Sequence, residues 1–240
     1  TGCSARVSDS NEKPRLIAHA GGAVYGYRYT NSREALDASY DRGFRYFELD
    51  FQLTSDGEAV LIHDWDSMAR RMLFSEGRRT KDEFLSSESF MDMTLMDISA
   101  LSDWLSSHND AYIITDVKAD NATVLQMISS ALGDNSRRII PQIYSYEEYE
   151  TVSALGYKDI ILTLYRMETD PEELGNFAAS NKLWAVTVSI DRLTPELLSA
   201  LDGTSVYAHT VNSLSDFEMW EPQGLYGIYT DYFEPEHWPF

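Results

Sequence analysis

A single cysteine, Cys3, in 240 residues leaves no intramolecular disulfide to be made, so cysteine usage names no redox compartment. Basic residues are also scarce: 19 Lys and Arg stand against 39 Asp and Glu, a formal net charge of -20. Phosphate backbones are gripped by clustered cations, and the few here are scattered, which excludes a general nucleic-acid surface. The bulk of the acidity reads as solvated surface, and an anionic partner has to meet positive charge concentrated locally, by a metal ion or a few placed cations. Long hydrophobic runs are missing too, because polar residues interrupt every apolar stretch before the ~20 residues a membrane-spanning helix needs. No Gly-x-Gly-x-x-Gly follows the first apolar run, which removes the dinucleotide-binding fingerprint.

What is present is regular alternation. A polar stretch over residues 1–15 reads as a flexible N-terminal tether, and 16–240 as one domain with 43% hydrophobic residues in the chain to build its core. Strand-like runs fall at 16–19, 44–53, 112–118, 139–144, 160–165, 184–190, 206–211 and 226–230, with 59–63 extending the second across the turn Ser55-Asp56-Gly57. Helical patterns at 32–41, 95–107, 122–132, 147–155, 171–180, 195–201 and 214–220 lie between them. Alternation of this kind calls for parallel βαβ units, and eight principal strands predict a single closed (β/α)8 TIM-type barrel. The polar, Arg- and Ser-rich segment at about 65–94 shows no clear periodicity and is expected to be a long loop or a short insertion after the second strand. The chain ends soon after the last strand, so the final helix is expected to be short or missing.

Side chains alternate faces along a strand, so Phe47, Leu49, Phe51 and Leu53 point one way and Glu48, Asp50 and Gln52 the other. The apolar set suits the helix-covered outside of the barrel, which turns the acids inward. Asp116 and Lys118 repeat the anomaly at the end of the third strand. Inward carboxylates repel one another and are costly unpaired, so three at adjacent strand ends form an all-oxygen site suited to one hard divalent cation, Mg²⁺ or Ca²⁺. The competing reading is a set of buried salt bridges to Lys118 and nearby arginines. His19 and His63 close the first strand and the extension of the second, where they are placed to serve as acid and base, since imidazole titrates near working pH.

The runs His19-Ala20-Gly21, Asn31-Ser32, Glu48-Leu49-Asp50, Gln52-Leu53-Thr54, Asp56-Gly57 and His63-Asp64 resemble the glycerophosphodiester phosphodiesterase family. Asp116-Val117-Lys118, Thr210-Val211-Asn212 and Gly227-Ile228-Tyr229-Thr230-Asp231 extend the resemblance in the right order to residue 231. It implies a (β/α)8 barrel that hydrolyses a glycerol-linked phosphodiester to an alcohol and glycerol phosphate. His19 and His63 would be general acid and base, Glu48, Asp50 and Asp116 would hold the divalent ion, and Lys118 would contact the phosphate.

Three positions depart from the family's pattern. Ala20 stands where an arginine usually helps neutralise the phosphate, so Arg28 or Arg166 is expected to substitute. Asp116 replaces a Glu, and His209 replaces a Trp, which predicts a different pocket for the alcohol. Tyr25, Tyr27 and Tyr29 either rim that pocket or pack on the adjacent loop. Two other functions are carried: phospholipase-like cleavage of an intact lipid head group, and metal and phosphate binding without turnover. The partner expected is a small phosphodiester, with no nucleic acid. The opening Thr1-Gly2-Cys3-Ser4 resembles a bacterial lipoprotein cleavage site, which would make Cys3 a lipid anchor and membrane tether for an extracytoplasmic envelope protein; the alternative is an incidental cysteine on a cytoplasmic chain.

Overall fold

The computed structural model describes residues 13–240, and Cys3 lies outside them. The chain runs from β1 (Leu16–Ala18) through α1 (Arg33–Asp41) to β2 (Tyr46–Leu53) and β3 (Ala59–Leu61), then through α2 (Ser67–Leu73), α3 (Lys81–Leu85) and α4 (Ile98–Ser107). It continues with β4 (Tyr112–Val117), α5 (Asn121–Leu132), β5 (Ile139–Ile143), α6 (Glu148–Ala154), β6 (Ile161–Thr163) and α7 (Pro171–Asn181). The last third holds β7 (Ala185–Ser189), α8 (Pro195–Ala200), β8 (Val206–His209), α9 (Leu214–Trp220) and β9 (Gly227–Thr230). The strands pair in parallel in the order β1-β2-β4-β5-β6-β7-β8-β9, and β9 returns to β1, so the barrel closes with eight members. The segment read as an extension of the second strand is β3, which folds back antiparallel on β2 outside the parallel ladder.

Local sequence starts the helices where the barrel needs them. Ser32, Asp97 and Asp120 accept the backbone N–H three residues on at the starts of α1, α4 and α5, which satisfies amides the helix cannot. Asp170 and Thr194 do the same for α7 and α8, each with Pro at the first helical position, where its missing N–H costs nothing.

The alternation within strands sorts the core into two layers. Phe47, Leu49, Phe51, Ile113 and Val117 pack with the helices, among them Leu101, Trp104 and Leu125. Each such side chain contributes about 1.5–3 kcal/mol on full burial. The barrel interior is a separate cluster of Ile17, Ile114, Ile140, Ile161, Ala185, Tyr207 and Tyr229, floored by Tyr46, Tyr112, Trp184 and Tyr226. Lys13 and Arg15, expected in the tether, already pack here. Arg15 donates to the Tyr226 carbonyl at 2.6 Å, and Lys13 Nζ donates to Ser205 at 3.2 Å. The position of an eighth helix is taken by the turn Pro235–His237, after which Trp238 and Phe240 cover Phe217.

Of a long loop or an insertion after the second strand, the structure shows an insertion with secondary structure of its own. It carries α2 and α3, and Trp65, Met68, Met72, Leu73 and Phe84 form a satellite core with Val60 and Ile62. α3 opens on a capping box, Thr80 accepting from the Glu83 amide while the Glu83 carboxylate accepts from the Thr80 amide. Helices of seven and five residues are too short to show a period in sequence, which is why the segment read as a loop.

Candidate active site

The parallel register assembles the site. Asp50 pairs directly with Asp116 across β2 and β4, so two carboxylates from separate strands meet at the carboxyl ends of both. Glu48 lies two residues earlier on the same face of β2. Glu48, Asp50 and Asp116 are all buried, and each offers an oxygen within 4.8 Å of the others.

Lys118 enters from the end of β4. Its Nζ donates to Asp116 Oδ2 at 2.6 Å and lies 3.3 Å from Asp50 Oδ1. The buried salt bridges foreseen as a competing reading therefore exist, but they leave the cluster uncompensated: three carboxylates and one ammonium sum to -2 when all are ionised. Burial, then the neighbouring Asp50, push the Glu48 carboxyl up to about 8. Glu48 Oε1 is buried with no hydrogen-bond partner among the described residues, whereas Oε2 accepts the Ala20 amide at 2.8 Å. Three carboxylates with one ammonium between them, and one orphaned inward oxygen, match the donor set of a hard divalent cation, and the residues present fit one.

The other two acids are braced. Asn31 donates to Asp50 Oδ2 at 2.9 Å and accepts the Asp50 amide at 2.9 Å. Asp116 Oδ1 accepts the hydroxyls of Tyr144 and Tyr165, both at 2.7 Å. Burial alone would raise the Asp116 carboxyl, but Lys118 and the two tyrosines outweigh it and hold it low.

Each histidine has a carboxylate behind it. His19 Nδ1 lies 2.9 Å from Asp231 Oδ1, and His63 Nδ1 lies 2.8 Å from Asp64 Oδ2. An ionised carboxylate accepts only, so both rings carry their proton on Nδ1 and turn Nε2 away from their braces. For His19 that nitrogen is 3.9 Å from Glu48 Oε2. Burial works to lower the His19 pKa, but the Asp231 bond and the charges of Glu48, Asp231 and Asp50 overcome it and raise it. Tyr29 stands edge-on between the two imidazoles, at 4.6 Å from His19 and 5.2 Å from His63 between ring centres. Tyr25 and Tyr27 lie outward and exposed.

The two arginines expected to compensate for Ala20 contact different members of this group. Arg28 Nη1 is 3.6 Å from Asp231 Oδ2, and Arg166 stacks at 3.9 Å over Tyr144 while donating to the Val117 carbonyl at 3.2 Å. Ala20 itself is fully buried in a left-handed turn (φ 48°), and two residues on, at Gly22, a Cβ would come within 2.3 Å of Ser39 Oγ. His209 lines one small cavity with His19, Glu48 and Asp116. All the residues singled out from the sequence, Cys3 apart, thus come to one end of the barrel. Sequence reasoning gave no role to Asp231, Asp64, Asn31, Tyr144 or Tyr165. Asp64 and Asp231 had a signal in hand, since each ends a motif that was recognised.

A closed parallel barrel with two carboxylate-braced histidines and an acidic cluster at the carboxyl ends of its strands has the layout in which barrel enzymes place their active sites. The profile of the glycerophosphoryl diester phosphodiesterase family matches residues 22–234, and the chain belongs to that family, a phosphoric diester hydrolase. Among solved structures it is similar to an Oleispira antarctica phosphodiesterase in complex with the product sn-glycerol-3-phosphate, at 16% identity over 93% of this chain and 94% of the other, TM-score 0.76. A Thermotoga maritima glycerophosphodiester phosphodiesterase matches at 18% identity over 92% and 95%, TM-score 0.69. One from Agrobacterium tumefaciens matches at 15% over 93% and 98%, TM-score 0.69. Comparison with curated protein sequences gave no match.

Proposed function

We propose that this site hydrolyses a glycerol-linked phosphodiester with His19 and His63 as the acid–base pair. The observation that carries the reading is the pair of carboxylate-braced imidazoles beside the acidic cluster. Binding alone does not need two rings whose Nδ1 protons are pinned and whose Nε2 atoms face away from the braces, that of His19 meeting only the Thr210 hydroxyl at 3.3 Å, and this favours turnover over a binding-only relative. One histidine takes the proton of the attacking hydroxyl and the other gives one to the departing alcohol. Tyr29 keeps the two rings apart and upright.

Glu48, Asp50 and Asp116 would hold one divalent ion, Mg²⁺ or Ca²⁺, which when bound supplies Lewis-acid polarisation of a phosphate oxygen. Lys118 would contact the phosphate, and Arg28 or Arg166 would replace the cation missing at Ala20. The complex of the Oleispira antarctica relative with sn-glycerol-3-phosphate supports a glycerol phosphate product. The test is release of alcohol from glycerophosphodiesters and from intact phospholipids, with and without chelator. Turnover of the former alone, lost with chelator and restored by Mg²⁺ or Ca²⁺, is expected; cleavage of intact lipid would point to the phospholipase-like function instead.

A further inference from the structure

Large apolar side chains left in water gather in one region of the molecule. Of the eight that are exposed among the described residues, five lie in the loop after β1 or in the insertion after β3, and Tyr25, Tyr27, Phe74 and Met91 are four of them. Single scattered exposures need no explanation, but a gathered set does. Val24 and Tyr27 exchange backbone hydrogen bonds at 2.9 and 2.8 Å, so Tyr25 and Gly26 form the tip of a two-residue turn. The Tyr27 ring stands edge-on to Phe90, the neighbour of Met91, at 4.6 Å, and Arg71 of α2 lies 5.4 Å over it. Phe74 closes α2 three residues beyond Arg71, which places the two on one side of the helix. Tyr29 of the same loop stands between the two imidazoles, and α2 begins shortly after His63, so this region borders the carboxyl end of the barrel.

Three of these side chains stand on left-handed backbone: φ is 52° at Tyr25, 59° at Phe74 and 56° at Met91. A bulky residue is disfavoured there, where Gly or Asn sits with little strain, and at exposures of 64, 57 and 51% none is offset by burial. The stability of the fold does not account for them. Charge points the same way. Ser67 to Lys81 holds five basic residues and one acidic, Glu76, while the rest of the chain holds 14 and 38. Arg70 pairs with Glu76, Arg79 donates to Ser75 and Ser87, and Lys81 pairs with Glu58. That leaves Arg71 and the exposed Arg78 outside any ion pair among the described residues. The acids that follow, Asp82 and Glu83, open α3, where Glu83 belongs to the capping box.

Apolar tips beside arginines suit the boundary between acyl chains and phosphate groups, where the tip enters the chains and the guanidinium pairs with phosphate oxygens. The rest of the chain carries 24 more acids than bases, the difference of 38 and 14, and is repelled by an anionic bilayer. Such a bilayer is therefore met by this face. We propose that Tyr25, Phe74 and Met91, together with Arg71 and Arg78, dock the protein on an anionic lipid surface with the carboxyl end of the barrel toward it. The docking face lies outside the acidic cluster and the two histidines, and its use does not depend on the reaction they carry out.

The test is sedimentation of the full chain, without an acyl group, with vesicles of phosphatidylglycerol and phosphatidylcholine in equal parts and with vesicles of phosphatidylcholine alone. Binding to the mixed vesicles that weakens as salt is raised is expected, with little binding to the neutral ones. Arg71→Ser and Arg78→Ser should each weaken it by roughly five-fold, and Phe74→Gly by roughly 3- to 10-fold. Glycine adopts a φ near 59° without strain, so Phe74→Gly should hold the melting temperature while binding falls. Where the glycine variant does not fold, Arg78→Ser at an exposed side chain decides in its place. Equal binding to both vesicles, or binding to the mixed ones that none of the three variants weakens, would overturn the docking face. So would a lowered melting temperature in Phe74→Gly with vesicle binding intact, because the side chain would then serve the fold. Self-association of the chain that Phe74→Gly abolishes, with no vesicle binding, would give the face to a second copy and overturn the lipid surface as its partner.

Discussion

Replacing Asp231 by Asn keeps the shape behind His19 and removes the charge. The two oxygens of Asp231 have different duties: Oδ1 accepts the His19 Nδ1 proton at 2.9 Å, and Oδ2 accepts from Asn212 at 2.7 Å with Arg28 at 3.6 Å. An amide can satisfy only one side. With its NH2 toward His19 it drives the ring proton onto Nε2, and with its NH2 toward Asn212 it faces two donors. A charge-assisted hydrogen bond of this kind contributes ~1.5–3 kcal/mol, so Asp231→Asn should lower kcat/KM by roughly 10- to 150-fold at neutral pH. The pH dependence has a definite sign. Asp231 is among the groups that raise the His19 pKa above its ordinary 6.5, and the stability from that raised value is full below 6.5 and is lost as pH rises through the folded value. The variant should therefore lose more stability near pH 6 than near pH 9, and NMR titration of His19 should show a lower pKa. A variant with unchanged rate and an unshifted His19 titration would mean that Asp231 neither orients nor charges His19.

Lys118→Met should cut kcat/KM by roughly 10- to 150-fold at saturating metal if the ammonium contacts phosphate; full recovery with excess metal and unchanged substrate affinity would leave it only a strut for Asp116. Arg28→Ala and Arg166→Ala, assayed beside it, identify by a comparable loss which one replaces the cation missing at Ala20. Glu48 is pushed up to about 8, so its contribution to stability in the metal-free protein, full below about 4.5, is lost as pH rises through 8, and a bound cation displaces its proton. The thermal shift given by Mg²⁺ or Ca²⁺ should grow between about pH 6 and 8, and Glu48→Gln should abolish that growth. Phe84→Ala in the satellite core should destabilise by about 3–5 kcal/mol in denaturant titration, since Phe84 is fully buried; a loss under about 1 kcal/mol would mean the insertion folds independently of its own core.

Much of this site was legible because strand periodicity is rigid. Glu48 and Asp50 interrupt an otherwise apolar strand on one face only, and their inward direction follows from the pleat without knowledge of any partner. The His19–Asp231 pair was hidden for the opposite reason. The two residues are 212 positions apart and meet because β9 closes on β1 in a register that sets Ala18 beside Thr230, which brings the next residue of each strand together. Tyr144 and Tyr165 reach Asp116 from the ends of two further strands, and nothing local marks a tyrosine as a hydrogen-bond donor to a distant carboxylate. The satellite helices escaped because their apolar residues are shared among α2, α3 and the segment between α3 and α4, so no single window held a full period. His209 was marked only by its departure from a family pattern; its unpaired nitrogen is a property of the folded barrel.

If the two braced histidines carry acid–base catalysis on a phosphodiester, the turnover of His19→Ala and His63→Ala on a glycerophosphodiester at saturating divalent metal will show it. Removal of a general acid or base costs about 10² to 10⁴ in rate, so each variant should fall by that factor while its circular dichroism and its metal-induced thermal shift stay like those of the wild type. Near-normal turnover in either variant would take that histidine out of the mechanism while leaving the cluster of Glu48, Asp50 and Asp116 intact.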